Sequence, residues 1–246
     1  MKKFLMLLMT LLLVSGCQTK GPDLSKMTPE QQYEEAIKAN KNMKSAEVEA
    51  VISFQMDYNG QPYGAEVMTA WYKIEYDKEV KMETKMNLEG TMMHAFIADG
   101  YMYVEMDGMK FKTAYAEEVN ALDQAPISAE MMSVEQISNL KSVFEDDHYI
   151  ISYDVKEEML MEKIKEYLDG LSYLEVDYRF KDVKAQTGID KEANPSYLLL
   201  EFTLEIVEGE EVIEATFKME ATITNVNKTK VVLPSDLSDY QEMNYN

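Results

Sequence analysis

Few side chains in this 246-residue chain are suited to covalent or acid-base chemistry: one Cys, Cys17, and two His, His94 and His148. A single thiol makes no intramolecular disulfide and no thiolate metal cluster, so the chemistry left to it is substitution on its own sulfur. The densest titratable group, Glu145-Asp146-Asp147-His148, lacks the alternating Asp/Asn spacing and central Gly of a calcium loop and reads as a solvated turn. His94, within Met92-Met93-His94-Ala95, reads as a strand residue. The sequence contains no Gly-x-Ser-x-Gly elbow, His-Glu-x-x-His pair, phosphate loop or dinucleotide fingerprint. Paired acids of the glycosidase kind are the remaining enzymatic option, and no spacing here sets such a pair. The chain therefore reads as non-enzymatic, with no catalytic residue, metal or cofactor expected.

The surroundings of Cys17 give its chemistry a context. Met1-Lys2-Lys3 is basic, and Phe4 to Val14 is a mostly apolar run of eleven residues. That run is well short of the ~20 residues needed to cross a bilayer, and it reads as a secretory signal. Val14-Ser15-Gly16-Cys17 follows, an aliphatic residue, two small ones and a Cys, which resembles a bacterial lipobox. The resemblance implies a diacylglycerol thioether on Cys17 and cleavage just before it, leaving residues 1–16 as signal peptide. Two or more acyl chains suffice for stable anchoring, since each buried CH₂ contributes ~0.8 kcal/mol while one chain holds only marginally. The expected location is the extracytoplasmic face of a cell membrane. Gln18 to Lys26, with Gly21-Pro22 and a single sizeable hydrophobe, Leu24, reads as a tether, so that 17–26 forms an acylated, flexible link.

Charge narrows the partners. With 24 Lys+Arg against 45 Asp+Glu the net charge is −21, and loss of Lys2 and Lys3 with the signal would move it to −23. Affinity for phosphate backbones comes mainly from Lys and Arg, so nucleic acid is excluded as a partner. A hydrophobic fraction of 46%, with only 10 Gly and 6 Pro, is enough for a packed core.

The periodicity then shows what positions these residues. Thr28-Pro29-Glu30-Gln31 sets a capping hydroxyl, a Pro at the first helical position and a Gln at the third, predicting a helix to about Met43. From Glu47 the pattern alternates, with Val48, Ala50, Ile52, Phe54, Met56 and Tyr58 on one face. Asn59-Gly60, Glu89-Gly90, Asp99-Gly100 and Asp107-Gly108 punctuate an antiparallel meander of six strands between 47 and 115. Two helices are expected next, near Ser128 to Leu140 and from Asp154 to Leu168, with a short strand at Tyr149 to Tyr153 between them. Strand alternation returns at Leu174 to Lys181, Leu198 to Ile206 and Ile213 to Ile223. The sum is an α+β fold of about ten strands and three helices. It forms one curved, unclosed antiparallel sheet with helices on its apolar side, a single domain over 27–246.

A lipobox, a capped helix, a long meander, a helical insert and a late return to strands together resemble the LolA/LppX-like half-barrel lipoproteins. Many surface lipoproteins of unknown function from Gram-positive bacteria look similar. The stretches that carry the likeness are Thr28 to Met56, Ile97 to Lys112 and Asn225 to Pro234. The resemblance implies an unclosed barrel that holds a lipid or acyl chain between sheet and helical lid, and it transfers no catalytic residue. The periplasmic carriers of that group are soluble, whereas Cys17 would tie this chain down and argues against shuttling. The sole Arg, Arg179, matches no polar anchor of those carriers.

The chain has 20 Met, and several fall at apolar alternation positions. Met56, Met82, Met86, Met102, Met106 and Met219, with Phe54 and Phe217, are the candidate ligand-lining residues, because unbranched, polarizable thioethers repack around acyl chains of different length. The same positions suit plain core filling. Trp71, Tyr101 and Tyr103 read as sheet aromatics, with lining the other option. The expected partners are membrane lipid through acylated Cys17 and a lipid or other hydrophobic small molecule. The alternative is a packed interior with an acidic exterior that meets a cationic protein.

Overall fold

A computed structural model describes residues 22–76, 79–88, 90–114, 132–156, 177–208 and 211–243. Residues 1–21, which hold the expected signal segment and Cys17, lie outside them. One α-helix, α1 (Pro29–Lys41), precedes β1 (Ser45–Tyr58), β2 (Gln61–Tyr76), β3 (Val80–Leu88), β4 (Thr91–Ala98), β5 (Tyr101–Met106) and β6 (Met109–Ala114). After these come β7 (Ile137–Glu145), β8 (His148–Val155), β9 (Asp177–Asp190), β10 (Pro195–Glu208), β11 (Glu211–Thr224) and the two-residue β12 (Gln241–Glu242). All twelve strands form one sheet in the order β12-β6-β5-β4-β3-β2-β1-β11-β10-β9-β8-β7, antiparallel except for β12 on β6. Because the two ends of that order do not meet, the sheet is unclosed. Among the described residues the expected "about ten" strands become twelve, since the segment read as a helix near 137–140 contributes β7 and the stretch after Ile223, for which no strand was expected, contributes β12.

The hairpins form where side-chain-tolerant turns put two residues at positive φ. Asn59-Gly60 (49° and 76°), Asp99-Gly100 (52° and 73°) and Asp107-Gly108 (52° and 76°) do so. That is the two-residue turn whose twist matches antiparallel strands. Asp146-Asp147 makes the same turn with φ of 46° and 69°, so the acidic cluster is the β7–β8 turn.

Residues paired across antiparallel strands share a face. On that basis Ala46, Val48, Ala50, Ile52, Phe54 and Met56 lie on the face that α1 covers, here called inner, and Glu47, Glu49, Val51 and Ser53 on the outer face. α1 is closed at its start by the reciprocal cap: Gln31 N–H donates to Thr28 Oγ1 at 3.4 Å and Thr28 N–H to Gln31 Oε1 at 3.0 Å. Its buried side, Tyr33 and Ala36, packs on Ile151, Tyr153, Ala185 and Ile189 of β8 and β9. The Tyr33 hydroxyl donates to the Met132 carbonyl at 2.9 Å, and its ring meets Tyr153 edge-on at 4.9 Å. Burial, then the adjacent Tyr153, pushes the Tyr33 phenol up.

Leu24, inside the stretch read as tether, is buried in this same cluster, in a short 3₁₀ turn whose carbonyl accepts from Gln32 Nε2 at 2.8 Å. Leu24–Lys26 therefore belongs to the folded body. A second cluster, around Ala46, Val48, Ala50, Ala70, Tyr72 and Ile74, fills the middle of the inner face. A third lies outside: the tail after β11 crosses the outer face and lays Tyr240 against Phe96 and Tyr103.

Two expectations need correction. Of the helix expected near Ser128 to Leu140, residues 128–131 lie outside the described residues, Val134–Gln136 is a short 3₁₀ turn, and Ile137 to Leu140 is strand. Asn139 sits at φ 54°, and the β7–β8 register shifts between Ser138 and Lys141. This bulge brings Ile137 and Leu140 into the same core cluster, so a three-residue spacing of apolar groups imitates a helical period. Asp154 and Val155 end β8 rather than start a helix, Lys156 follows outside any helix, and residues 157–168 of that predicted helix lie outside the described residues.

Candidate functional site

The inner face is not evenly covered. Among the described residues α1 lies over β7 to β10, near Ile151, Ala185 and Leu200, where the strands run under it. Farther along β1, β11 and β10 the ladder sets Phe54 opposite Phe217 and Phe217 opposite Phe202. The next row joins Met56, Ala215, Leu204 and Phe180, and the row before it Ile52, Met219 and Leu200. Phe202 and Phe217 stack with centroids 5.2 Å apart, and Phe180 meets Phe202 edge-on at 5.3 Å. Phe180 and Met219 are buried, whereas Phe54, Met56, Phe202, Leu204 and Phe217 are half-buried. This is an apolar floor with aromatic, thioether and aliphatic groups side by side.

All eight residues singled out from the sequence lie on the inner face, in two groups. Met56, Phe54, Phe217 and Met219 belong to the floor just described. Met86 and Met106 run in one row through Met93, and Met82 and Met102 in another through Ile97. Met82 and Met86 pack against the central core cluster, so part of their role is filling. Met93, Phe180, Phe202 and Leu204 extend these groups. Phe202 and Leu204 carry the same alternation signal as their neighbours, but adjacency of rows is set by register, which one strand's pattern does not contain.

The titratable groups in the middle of the inner face are neutral phenols. The Tyr72 and Tyr76 phenols, on the inner side of β2, are both pushed up by burial and stay neutral at physiological pH. In the Phe54 row the charged residue is Glu66, opposite Phe54 on β2 and exposed. The outer face is the reverse. Arg179 and Lys181 both hold the buried Glu205 carboxylate, and Lys181 reaches Glu214 at 3.2 Å. The sole Arg thus serves an outer-face ion cluster. Trp71, between the Lys73 and Lys85 ammonium groups at 5.0 and 4.9 Å, also lies outside, as do Tyr101 and Tyr103, so these aromatics do not line the inner face. His94 Nε2 is 3.1 Å from Glu83 Oε1 on that outer face, and His148 opens β8. Among the described residues no three His, Cys, Asp or Glu converge as a metal site.

The chain has the unclosed, largely antiparallel sheet expected from its sequence, and among the described residues one α-helix, where three were expected, lies over part of the apolar face. Residues 28–242 match a family of unknown function, DUF6612, and the chain belongs to that family. No curated protein matches it. Among solved structures it is similar to LprF from Mycobacterium bovis, with 11% identity and a TM-score of 0.47 over 84% of this chain and 96% of that one. A LolA superfamily protein from Nitrosomonas europaea shows 9% identity and a TM-score of 0.24 over 86% of this chain and 97% of that one. A DUF1329 family protein from Desulfovibrio piger shows 11% identity and a TM-score of 0.24 over 85% and 96%.

Proposed function

We propose that the mature chain is a non-enzymatic lipoprotein, fastened by acylated Cys17 to the extracytoplasmic face of a membrane, that holds a lipid or other hydrophobic molecule on its inner face. The observation that carries the reading is the floor of Phe54, Met56, Phe202, Leu204 and Phe217, apolar and half-buried beyond the part of the face that α1 covers. An acyl chain laid there gains on the order of 0.8 kcal/mol for each methylene buried. The thioether of Met56 adjusts to chain length without strain. With Leu24 buried, the free link from Cys17 is only residues 18–23, which reach about 20 Å when extended. The body is therefore held close to the bilayer from which such a ligand comes.

Titration with a fluorescent fatty acid tests the floor. The native chain takes it up, Phe54→Glu weakens uptake about tenfold or more by setting an unpaired charge among the rings, and Val51→Glu, on the exposed outer face of the same strand, leaves it unchanged. No uptake by the native chain, or equal loss in both variants, overturns the reading. The anchor is tested apart from it: Cys17→Ala loses labelling by radioactive palmitate and either leaves the membrane or stays as unprocessed precursor. A Cys17→Ala protein that partitions as before with unchanged mass removes the anchor.

A further inference from the structure

The two ends of the sheet are treated differently. At one end β12 adds to β6, and Met243 N–H donates to the Lys112 carbonyl at 2.8 Å, so that edge is capped. At the other, β7 is bonded among the described residues to β8 alone. Proteins usually blunt such an edge with bulges, charge or a cover. Here the bulge occupies Ser138 to Leu140, and from Lys141 to Glu145 the ladder is regular.

That regular stretch reads Lys141-Ser142-Val143-Phe144-Glu145, and it bears two of the chain's exposed large hydrophobics, Val143 at 60% and Phe144 at 48%. Among the described residues neither Lys141 nor Glu145 has an ion partner. The order of these five side chains is self-complementary in one direction only. Turned antiparallel about Val143, a second copy sets Val143 on Val143, Lys141 on Glu145 and Glu145 on Lys141, all on the outer face. On the inner face each Phe144 lies opposite Ser142 and diagonal to the other Phe144, within aromatic reach. Run parallel in register, the same stretch would set Lys on Lys and Glu on Glu. A two-fold axis through Val143 uses the same patch on both copies, as a closed dimer requires.

We infer that the β7 edge is a self-association surface: two copies of this chain pair antiparallel through Lys141–Glu145 and continue one sheet across the two-fold axis. The occupant is a second copy because the charge pattern complements itself. Five residues make a small contact, so the association is of the weak, transient class, and trapping catches it better than sizing. The contact does not depend on a ligand on the inner face.

The test uses the full chain in detergent, oxidised with diamide. Directly opposed antiparallel residues lie within about 4.5–5.5 Å at Cα, inside the range a disulfide spans, so Val143→Cys forms a linked dimer. Val67→Cys, equally exposed on the outer face of β2, does not, nor does the parent chain with Cys17 alone. Lys141→Glu and Glu145→Lys each put like charges opposite one another twice and lower trapping of Val143→Cys about tenfold, while the double reversal restores it. Restoration is a readout that misfolding of a single variant does not mimic. Equal trapping of Val67→Cys and Val143→Cys, absence of a linked dimer, or a double reversal as defective as the singles overturns the inference. Capture of a different envelope polypeptide by Val143→Cys with no homodimer also overturns it.

Discussion

Gly188 shows how tightly individual positions are fixed. It lies on β9 between Ile150 of β8 and Tyr197 of β10. A Cβ there would fall 2.7 Å from Tyr197 Cβ, 3.0 Å from Ser196 Oγ and 3.1 Å from Ile150 Cδ1. Gly188→Ala therefore forces backbone or side-chain shifts, and a loss of about 1–3 kcal/mol is expected. A urea midpoint unchanged from the parent would show that the three strands separate freely at this point. Tyr197 itself is pushed up to about 12, by burial first and by the Glu220 carboxylate second, and its hydroxyl donates to Glu220 Oε1 at 3.2 Å. These residue-scale facts were hidden in the sequence: Gly188 sits in a stretch with no turn signal, and only the neighbouring strands give its small size a reason.

At the scale of elements, caps and straps carry the predictions. Thr28→Ala removes the hydroxyl that accepts from Gln31 and is expected to cost about 1 kcal/mol, read as a lower melting temperature. The tail strap is tied by Lys110 Nζ to Asp236 Oδ2 at 2.5 Å, with Lys110 also over the Tyr240 ring at 5.5 Å. The Lys110 bond holds the Asp236 carboxyl below its ordinary value. Its contribution is therefore full above the unfolded carboxylate pKa of about 3.9 and is lost as pH falls through the lower folded value. Hydrogen exchange of residues 237–243, corrected for intrinsic rate, is expected to quicken relative to β1 between pH 7 and pH 2. Asp236→Asn should show the quicker exchange already at pH 7, and equal protection in both proteins would remove the bond from the strap's energetics. The capped α1 and the hairpins at Asn59-Gly60, Asp99-Gly100 and Asp107-Gly108 were legible because their signals are local. Bulges were not. Asp182 at φ 54° shifts the β9–β10 register, so the inner positions pass from even-numbered Phe180 to odd-numbered Ala185, Thr187 and Ile189, and the alternation seemed to stop at Lys181. The bulge at Asn139 did the same to β7 and made a strand read as a helix.

For the whole molecule, the sequence supplied the sorting of faces more completely than the joining of strands. Alternation alone put Phe54, Met56, Phe217 and Met219 on the apolar side, because half-burial imposes a period of two on every strand. It did not bring β11 beside β1, a pairing of residues more than 150 positions apart that sets Phe54 on Phe217. That closure makes one continuous floor from the first and last thirds of the chain, with Glu66 at its β2 border and Lys73, Lys85, Arg179, Lys181 and Glu205 on the other side. A binding floor of this kind carries apolar mass out of the cell with the chain. The direct measurement is a native mass spectrum, with lipid extraction, of residues 22–246 produced in cells without the N-terminal segment and isolated without detergent. A population heavier than the polypeptide by one extractable lipid, displaced by added fatty acid, is the result the account predicts. A single peak at the polypeptide mass, unchanged by added fatty acid, would contradict it.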